Sequence, residues 1–189
     1  PLRGIDGYSH LLEEDYADRL DAEGLRFLAA IRRATQQMSQ LIEDLLAYSR
    51  LERRLLQPSP VNPQEIVHAL LAERGEEIRQ REVEVHVALP PITLQADREG
   101  LALALRNLID NSLKFTRGVA APAIEIGGSI ENSLCTLWVR DNGIGFDMKY
   151  HDRIFDIFQR LHRSEDYSGT GVGLAIVRKA VERMGGRTW

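Results

Sequence analysis

From Ala22 a helical pattern runs on for about 34 residues, far longer than an ordinary globular helix. Leu28, Ile31, Thr35, Met38, Ile42, Leu45 and Ser49 fall along it at alternating spacings of three and four, joined by Leu41, Leu46 and Tyr48. That is a heptad-like stripe, broad enough to face more than one neighbour. The chain before it is shorter. Leu2, Ile5, Leu11 and Leu12 give a brief apolar face that ends at Glu13-Glu14-Asp15, and Tyr16 to Asp21 reads as a tight connection. Asp21 is placed to cap the long helix. A helix about 50 Å long cannot cover its stripe with the short one. The hairpin must find more surface, either in a second copy or on the domain that follows. The stripe continues beyond the first helix's expected end, which favours a four-helix bundle across a two-fold axis.

Pro58-Ser59-Pro60 breaks the helix, and the order then becomes mixed. The chain of 189 residues is therefore read as two units, 1–57 and 58–189. In the second, Gln64 to Gln80 is expected to be helical and Val83 to Val87 alternates as a strand. Ile92 to Gln95 is expected to form a short strand, and Asp97 to cap a helix running to about Thr116. That helix carries Leu101, Leu105, Leu108, Ile109 and Leu113 on one face. Ala123 to Ser129 and Leu134 to Arg140 read as a hairpin, and Thr170 to about Met184 as a last helix. The expected fold class is an all-α dimerisation hairpin followed by a two-layer α/β sandwich.

Composition narrows the function. With 28 Asp and Glu against 24 Lys and Arg the formal charge is −4, and no nucleic-acid-binding surface is expected. The single cysteine, Cys135, excludes a disulfide framework and a Cys-rich metal site, and fits a reducing compartment. No apolar run approaches the ~20 residues of a membrane span, so no direct membrane contact is expected from these residues; the expected setting is cytoplasmic, with a parent protein either soluble or membrane-tethered. His68 and His86 lack partners at metal-ligand spacing and read as ordinary surface or half-buried residues.

Three stretches carry chemistry. Gly169-Thr170-Gly171-Val172-Gly173-Leu174 is a Gly-rich turn running straight into a helix, which suits a phosphate: backbone can approach closely and free N–H groups point at the anion. It lacks the Lys-Ser/Thr of a Walker A loop and the preceding strand of a Rossmann fingerprint. Asp141-Asn142-Gly143-Ile144-Gly145-Phe146 follows a strand, and its Asp could accept from a base amino group. A plain surface turn explains Asn142-Gly143 but not the second glycine. On the helix from Asp97, Asn107, Asp110 and Asn111 lie three and four apart, with Lys114 one turn on. That polar stripe could meet metal-bound phosphates, amide oxygen to Mg2+ and ammonium to phosphate; equally, it could be a solvated helix face. Between the last two stretches, Phe155 and Phe158 sit in a loop of a length that is usually functional. They are expected to pin a lid, with Arg160, His162 and Arg163 either balancing phosphate charge or solvated.

Together these motifs resemble the kinase core of a bacterial two-component sensor histidine kinase. Asn107 to Lys114 resembles the family's N box, Asp141 to Phe146 its G1 box, Phe155 to Phe158 its F box and Gly169 to Gly173 its G2 box. Asp152-Arg153-Ile154-Phe155 and Phe158-Gln159-Arg160-Leu161-His162 are similar to the modules of phytochrome-type and related soluble sensors. The resemblance implies a gyrase-like ATP-binding domain using ATP and Mg2+, with Asn111 on the metal and Asp141 on the adenine amino group. Asn107 and Lys114 would serve the phosphates as catalytic residues, with Gly143, Gly145, Phe155, Phe158, Arg160, Gly169, Thr170, Gly171, Gly173 and Leu174 completing the nucleotide site. Related gyrase-like ATPases carry a water-activating Glu where this chain has Asn107, so transfer to a protein side chain is implied. The implied partners are a second copy through residues 1–57, the receiver domain of a response regulator and an upstream sensory domain.

Two departures matter. The family's phosphoacceptor His lies five residues before a Pro matching Pro1, so it is expected upstream of this chain, and Leu11-Leu12-Glu13 after His10 lacks the acceptor context. The last residues, Gly185 to Trp189, read as entry into a strand, so the ATP-binding domain is expected to lack its last strands. These residues alone are expected to bind ATP without autophosphorylating. The competing readings are a serine-directed kinase on the same fold, which predicts no hairpin, and a structural dimer module with a degenerate nucleotide site, which predicts gaps in the motifs.

Overall fold

The computed structural model describes residues 1–132, 134–161, 167 and 169–189. Helix α1 (Leu2–Tyr16) and helix α2 (Ala22–Arg53) form the hairpin, joined by a short 3-10 turn at Ala17–Arg19. Asp21 caps α2 through a 2.7 Å bond from the Gly24 N–H. The hairpin buries little of its own: Ser9, Leu28 and Thr35 are its buried residues. Thr35 is tolerated inside because its hydroxyl donates to the Ile31 carbonyl at 2.9 Å. Arg32 of α2 ties back to α1 through Glu13 and Asp6.

The remaining chain runs β1 (Pro58–Val61), α3 (Pro63–Glu73), α4 (Gly75–Gln80), β2 (Glu84–Ala88), β3 (Leu94–Asp97), α5 (Arg98–Phe115), β4 (Ala123–Glu131), β5 (Leu134–Asp141) and α6 (Gly173–Arg183), with a 3-10 turn at Met148–Arg153. Strands β2, β4 and β5 make one sheet in that order, β2 parallel to β4 and β4 antiparallel to β5. Helices α3 and α5 lie on it. Val67, Leu70, Leu105, Ile109 and Leu113 meet Ile124 and Ile126 in one core, flanked by Val85, Val87, Leu137 and Val139. Helix α6 packs on the outer side of α5 through Ala104, Val177 and Ala180, with Leu108 and Leu174 beside them. This is the two-layer sandwich, with α6 added against the helical layer.

Four expectations need correction. Pro58-Ser59-Pro60 not only ends the helix but forms β1, antiparallel to β3 with Pro58 opposite Asp97 and Val61 opposite Leu94; a two-stranded ribbon has the open edges that proline requires. The β3 strand accordingly starts two residues later than expected. The helix from Gln64 to Gln80 is two helices, broken at Arg74 (φ −100°, ψ 4°) before Gly75. The last helix begins at Gly173 instead of Thr170. Residues 185–189 enter no strand of the described sheets.

The hairpin and the sandwich touch along the C-terminal half of α2. Leu51 packs onto the α5–α6 cluster, Lys179 Nζ pairs with Glu52 at 2.8 Å, and the Thr170 hydroxyl donates to Asp44. Arg54 pairs with Glu99 and lies 3.7 Å from Asp97, while Arg183 donates to the Arg54 carbonyl. Asp97 is itself buried, capping α5 through Gly100 N–H (2.8 Å) and accepting from Gln57 N–H (3.1 Å). Burial raises its pKa, but those bonds and Arg54 outweigh it, so the carboxyl stays below the usual carboxylate range.

Candidate functional site

Helix α5 is the spine of the site, and two glycine-bearing loops converge on it. Its apolar face is committed to the sheet, which turns Asn107, Asn111 and Lys114 to the other side. Asn107 Nδ2 donates to the Leu103 carbonyl at 2.8 Å, and its Oδ1 faces the start of α6. A Cβ on Gly173 would stand 2.7 Å from that oxygen and 4.0 Å from Asn111 Nδ2. Glycine is thus required for the two elements to meet. No side chain caps the start of α6, so its first N–H groups and the positive end of its dipole face this polar edge.

Asp110 does not join them. It turns toward α3, where Arg74 holds it bidentately at 2.8 and 3.0 Å. Three-residue spacing spreads around the helix by about 60°, enough to move Asp110 onto the neighbouring face. A cavity of about 250 Å3 lies on that face, lined by Arg74, Glu77, Asp110, Leu113, Lys114 and Arg117. Lys114 alone belongs to both faces. Its pKa is lowered, first by burial and then by the like charges of Arg160 and Arg117. Its ammonium sits 4.2 Å from the Phe115 ring centroid, and no carboxylate pairs with it among the described residues. A half-buried cation among cations is a place where an anion would complete the charge balance.

The loop after β5 closes on the end of α5. Asp141 accepts from Gly143 N–H on one carboxylate oxygen and from the Ser112 hydroxyl on the other, both at 2.9 Å. Asn142 anchors the loop to the start of β4, accepting from Ala123 N–H at 2.8 Å and donating to the Ala121 carbonyl at 2.7 Å. Ile144 N–H reaches the Phe115 carbonyl at 3.2 Å. A Cβ on Gly143 would come within 2.5 Å of that carbonyl, so this glycine is fixed by close approach. Gly145 has φ +60°.

The Phe-bearing loop and the Gly-rich loop are joined by backbone. Phe158 N–H donates to the Gly171 carbonyl at 3.0 Å, and Gly171 (φ +74°) has no room for a side chain against Phe158 and Gln159. Phe155 is 9% exposed and anchors its segment, whereas Phe158, also expected to pin the loop, is 59% exposed at φ +66°. Arg160 donates to the Tyr167 carbonyl at 3.0 Å, and the Tyr167 ring tilts against Phe115 at 5.5 Å. Gly169 brings the backbone to Lys114, whose Nζ would be 3.2 Å from a Cβ there. Thr170 holds Asp44 of α2 and accepts from Val172 N–H at 3.3 Å. Leu174 packs in the α5–α6 seam. His162 and Arg163 lie outside the described residues.

The structure therefore gathers Asn107, Asn111, Lys114, Arg160 and the Gly-rich loop along the outer side of α5, with Asp141 and Gly143 closing on its C-terminal end. The reading by residue type missed Ser112, Phe115 and Asp44. Ser112 carried a signal: it lies three residues after Ile109 and seven after Leu105, on the apolar face, where a hydroxyl must find a partner. Asp44 carried none, being one exposed-type residue on a long helix.

Residues 96–189 match the family described as histidine kinase-, DNA gyrase B-, and HSP90-like ATPase. Residues 1–54 match the His Kinase A (phospho-acceptor) domain. Over its whole length the chain is 42% identical to cyanobacterial phytochrome B of a Nostoc species, of which it covers 25%. It is 37% identical to the methanogenesis regulatory histidine kinase FilI of Methanothrix harundinacea, covering 21%. The chain thus spans about a quarter of the length of the curated relatives it matches. Among solved structures, full-length ShkA in complex with AMPPNP superposes with a TM-score of 0.67 at 27% identity, over 98% of this chain and 38% of that one. Histidine kinase ThkA in complex with response regulator protein TrrA shares the fold at TM-score 0.71 and 20% identity, over all of this chain and 54% of that one. With both of its regions matched in kinase order, the chain belongs to the sensor histidine kinases.

Proposed function

We propose that this chain is the ATP-dependent core of a protein-histidine kinase in a two-component system, with its nucleotide bound on α5 under the two glycine loops. The observation that carries the reading is Lys114: a half-buried ammonium, crowded by Arg160 and Arg117 and facing the Gly-rich loop, with no carboxylate partner among the described residues. A triphosphate supplies the missing negative charge. The uncapped start of α6 adds donors for its oxygens. Asp141 at the opposite end accepts from the adenine amino group.

Mg2+ fits the donors present. The ion keeps waters and substrate phosphates as most of its ligands and needs only one or two oxygens from the protein. Asn111 supplies one amide oxygen, Asn107 lies beside it, and no cluster of three acidic, His or Cys residues competes among the described residues. Mg2+ would draw charge off the β- and γ-phosphates as the bond to the bridging oxygen breaks. The acceptor is an imidazole nitrogen, expected upstream of Pro1. It forms the new N–P bond as ADP leaves, and its proton passes to solvent. His10 lies on α1 beside Glu14 (3.5 Å), outside the acceptor context. From the phosphohistidine the phosphoryl group passes to an Asp of a receiver domain.

The chain acts as a homodimer through residues 1–57, because Ile31, Met38, Ile42 and Leu45 remain 36–49% exposed in the single hairpin. Residues 58–189 are the ATP-binding unit. No helix among the described residues is long and apolar enough to cross a membrane, and the proposed setting is the cytoplasm.

Calorimetric titration with ATP, with and without Mg2+, tests the site. Asn111→Ala is expected to remove most of the Mg2+-dependent gain in affinity. Asp141→Ala is expected to weaken ATP at least about tenfold, the worth of one hydrogen bond to a charged acceptor. Unchanged ATP binding in both folded variants would overturn the assignment.

A further inference from the structure

We infer that Ser112 is the positioning residue of the adenine-reading carboxylate; this rests on the reading of Asp141 given above. Asp141 is the last residue of β5 and is exposed, so nothing in the strand itself fixes its carboxylate plane. Two donors from different elements do. Gly143 N–H holds Oδ1 and the Ser112 hydroxyl holds Oδ2, each at 2.9 Å. Ser112 is 3% exposed and stands on the face of α5 that is packed into the core, one residue after Asn111 and one turn before Thr116. Its carbonyl is engaged by the Thr116 hydroxyl at 2.8 Å, and Thr116 is itself 1% exposed. The hydroxyl is thus presented from a rigid base, and the rotor it stops belongs to a side chain at the edge of solvent.

A carboxylate oxygen has two lone pairs, and each of these oxygens spends one on a protein donor. One remains on each, directed away from α5 and Gly143. A carboxylate presents only acceptors. That surface takes the exocyclic amino group of adenine and rejects the carbonyl that guanine carries at the same place. Ordering the carboxylate before the nucleotide arrives removes a rotamer cost from binding. Ser112 therefore acts on base selection without touching the base.

The test compares three nucleotides, each with Mg2+, by calorimetry: ATP, GTP and a purine riboside triphosphate without the exocyclic amino group. Ser112→Ala is expected to stay folded, since Ala suits a helix interior and the change removes one oxygen. It should weaken ATP about tenfold, the scale of one charge-assisted hydrogen bond. The amino-free nucleotide should be bound as before, and the preference for ATP over GTP should fall by the same factor as ATP affinity. In the double variant with Asp141→Ala the loss should equal that of Asp141→Ala alone. A loss that is additive, or equal for ATP and the amino-free nucleotide, overturns the positioning role while leaving the adenine assignment standing. No loss in Asp141→Ala overturns both.

Discussion

The hairpin and the ATP-binding unit solve the same problem in opposite ways. Helix α2 is 32 residues long and buries two of them, whereas α5, at 18 residues, buries seven. The difference lies in what faces each stripe. Leu101, Leu105, Ile109 and Leu113 of α5 meet a sheet and a second helix from their own chain. Ile31, Met38 and Ile42 of α2 have only α1 to lean on and stay close to half exposed. Apolar periodicity reports that a face will be covered, but not by whose atoms. One unit carries its stability internally; in the proposed dimer the other acquires it by association, and its stability would depend on protomer concentration.

The largest effect should come from charging the uncovered stripe. Ile42→Asp places two carboxylates in a dimer seam and should cost at least about 3 kcal/mol of association, more than a hundredfold in the dimer dissociation constant. Sedimentation should show monomers, with ATP affinity unchanged. A monomeric parent protein at high micromolar concentration would remove the contrast altogether. Truncating the covered face should do the reverse. Ile109, 1% exposed in the sandwich, becomes a cavity in Ile109→Ala, at about 2–5 kcal/mol of unfolding free energy. Denaturant melts should then lose the ATP-binding unit first, while cross-linking still captures hairpin dimers. A simultaneous loss of both would show that the two units are one cooperative body.

The smallest effect concerns the joint between them. Asp97 has its pKa below the unfolded value, so it adds stability above about pH 3.9 and loses it as pH falls through its folded pKa. Asp97→Asn keeps an acceptor for Gly100 but not the charge facing Arg54. It should cost about 1 kcal/mol at neutral pH, and the gap to the parent protein should close on acidification below pH ~4. A gap that is constant with pH would assign the cost to packing.

Much of this was legible in the residues because the signals were local. Asp21 and Asp97 cap the helices their positions promised, and β4 and β5 form the expected hairpin within two residues. Where reading failed, a distant partner decided. Pro58-Ser59-Pro60 looks like a breaker until β3 is beside it. The apolar period of residues 64–80 continues through Arg74, and its break shows only where Arg74 leaves the helix to hold Asp110. The site followed the same rule. Glycines and amides stand in recognisable local strings, whereas the Ser112–Asp141 bond spans 29 positions and Thr170–Asp44 spans 126.

Helix α2 carries two working faces on one shaft. The stripe of Leu28, Thr35 and Ile42 and the line of Asp44, Tyr48 and Leu51, which meets or borders the ATP-binding unit, stand about half a turn apart at 3.6 residues per turn. The helix runs unbroken from Ala22 to Arg53, so it has no joint at which one face could turn without the other. It would work as a cam: torque applied near its start would be carried along the unbroken shaft to Asp44 and Glu52, 22 and 30 residues beyond Ala22.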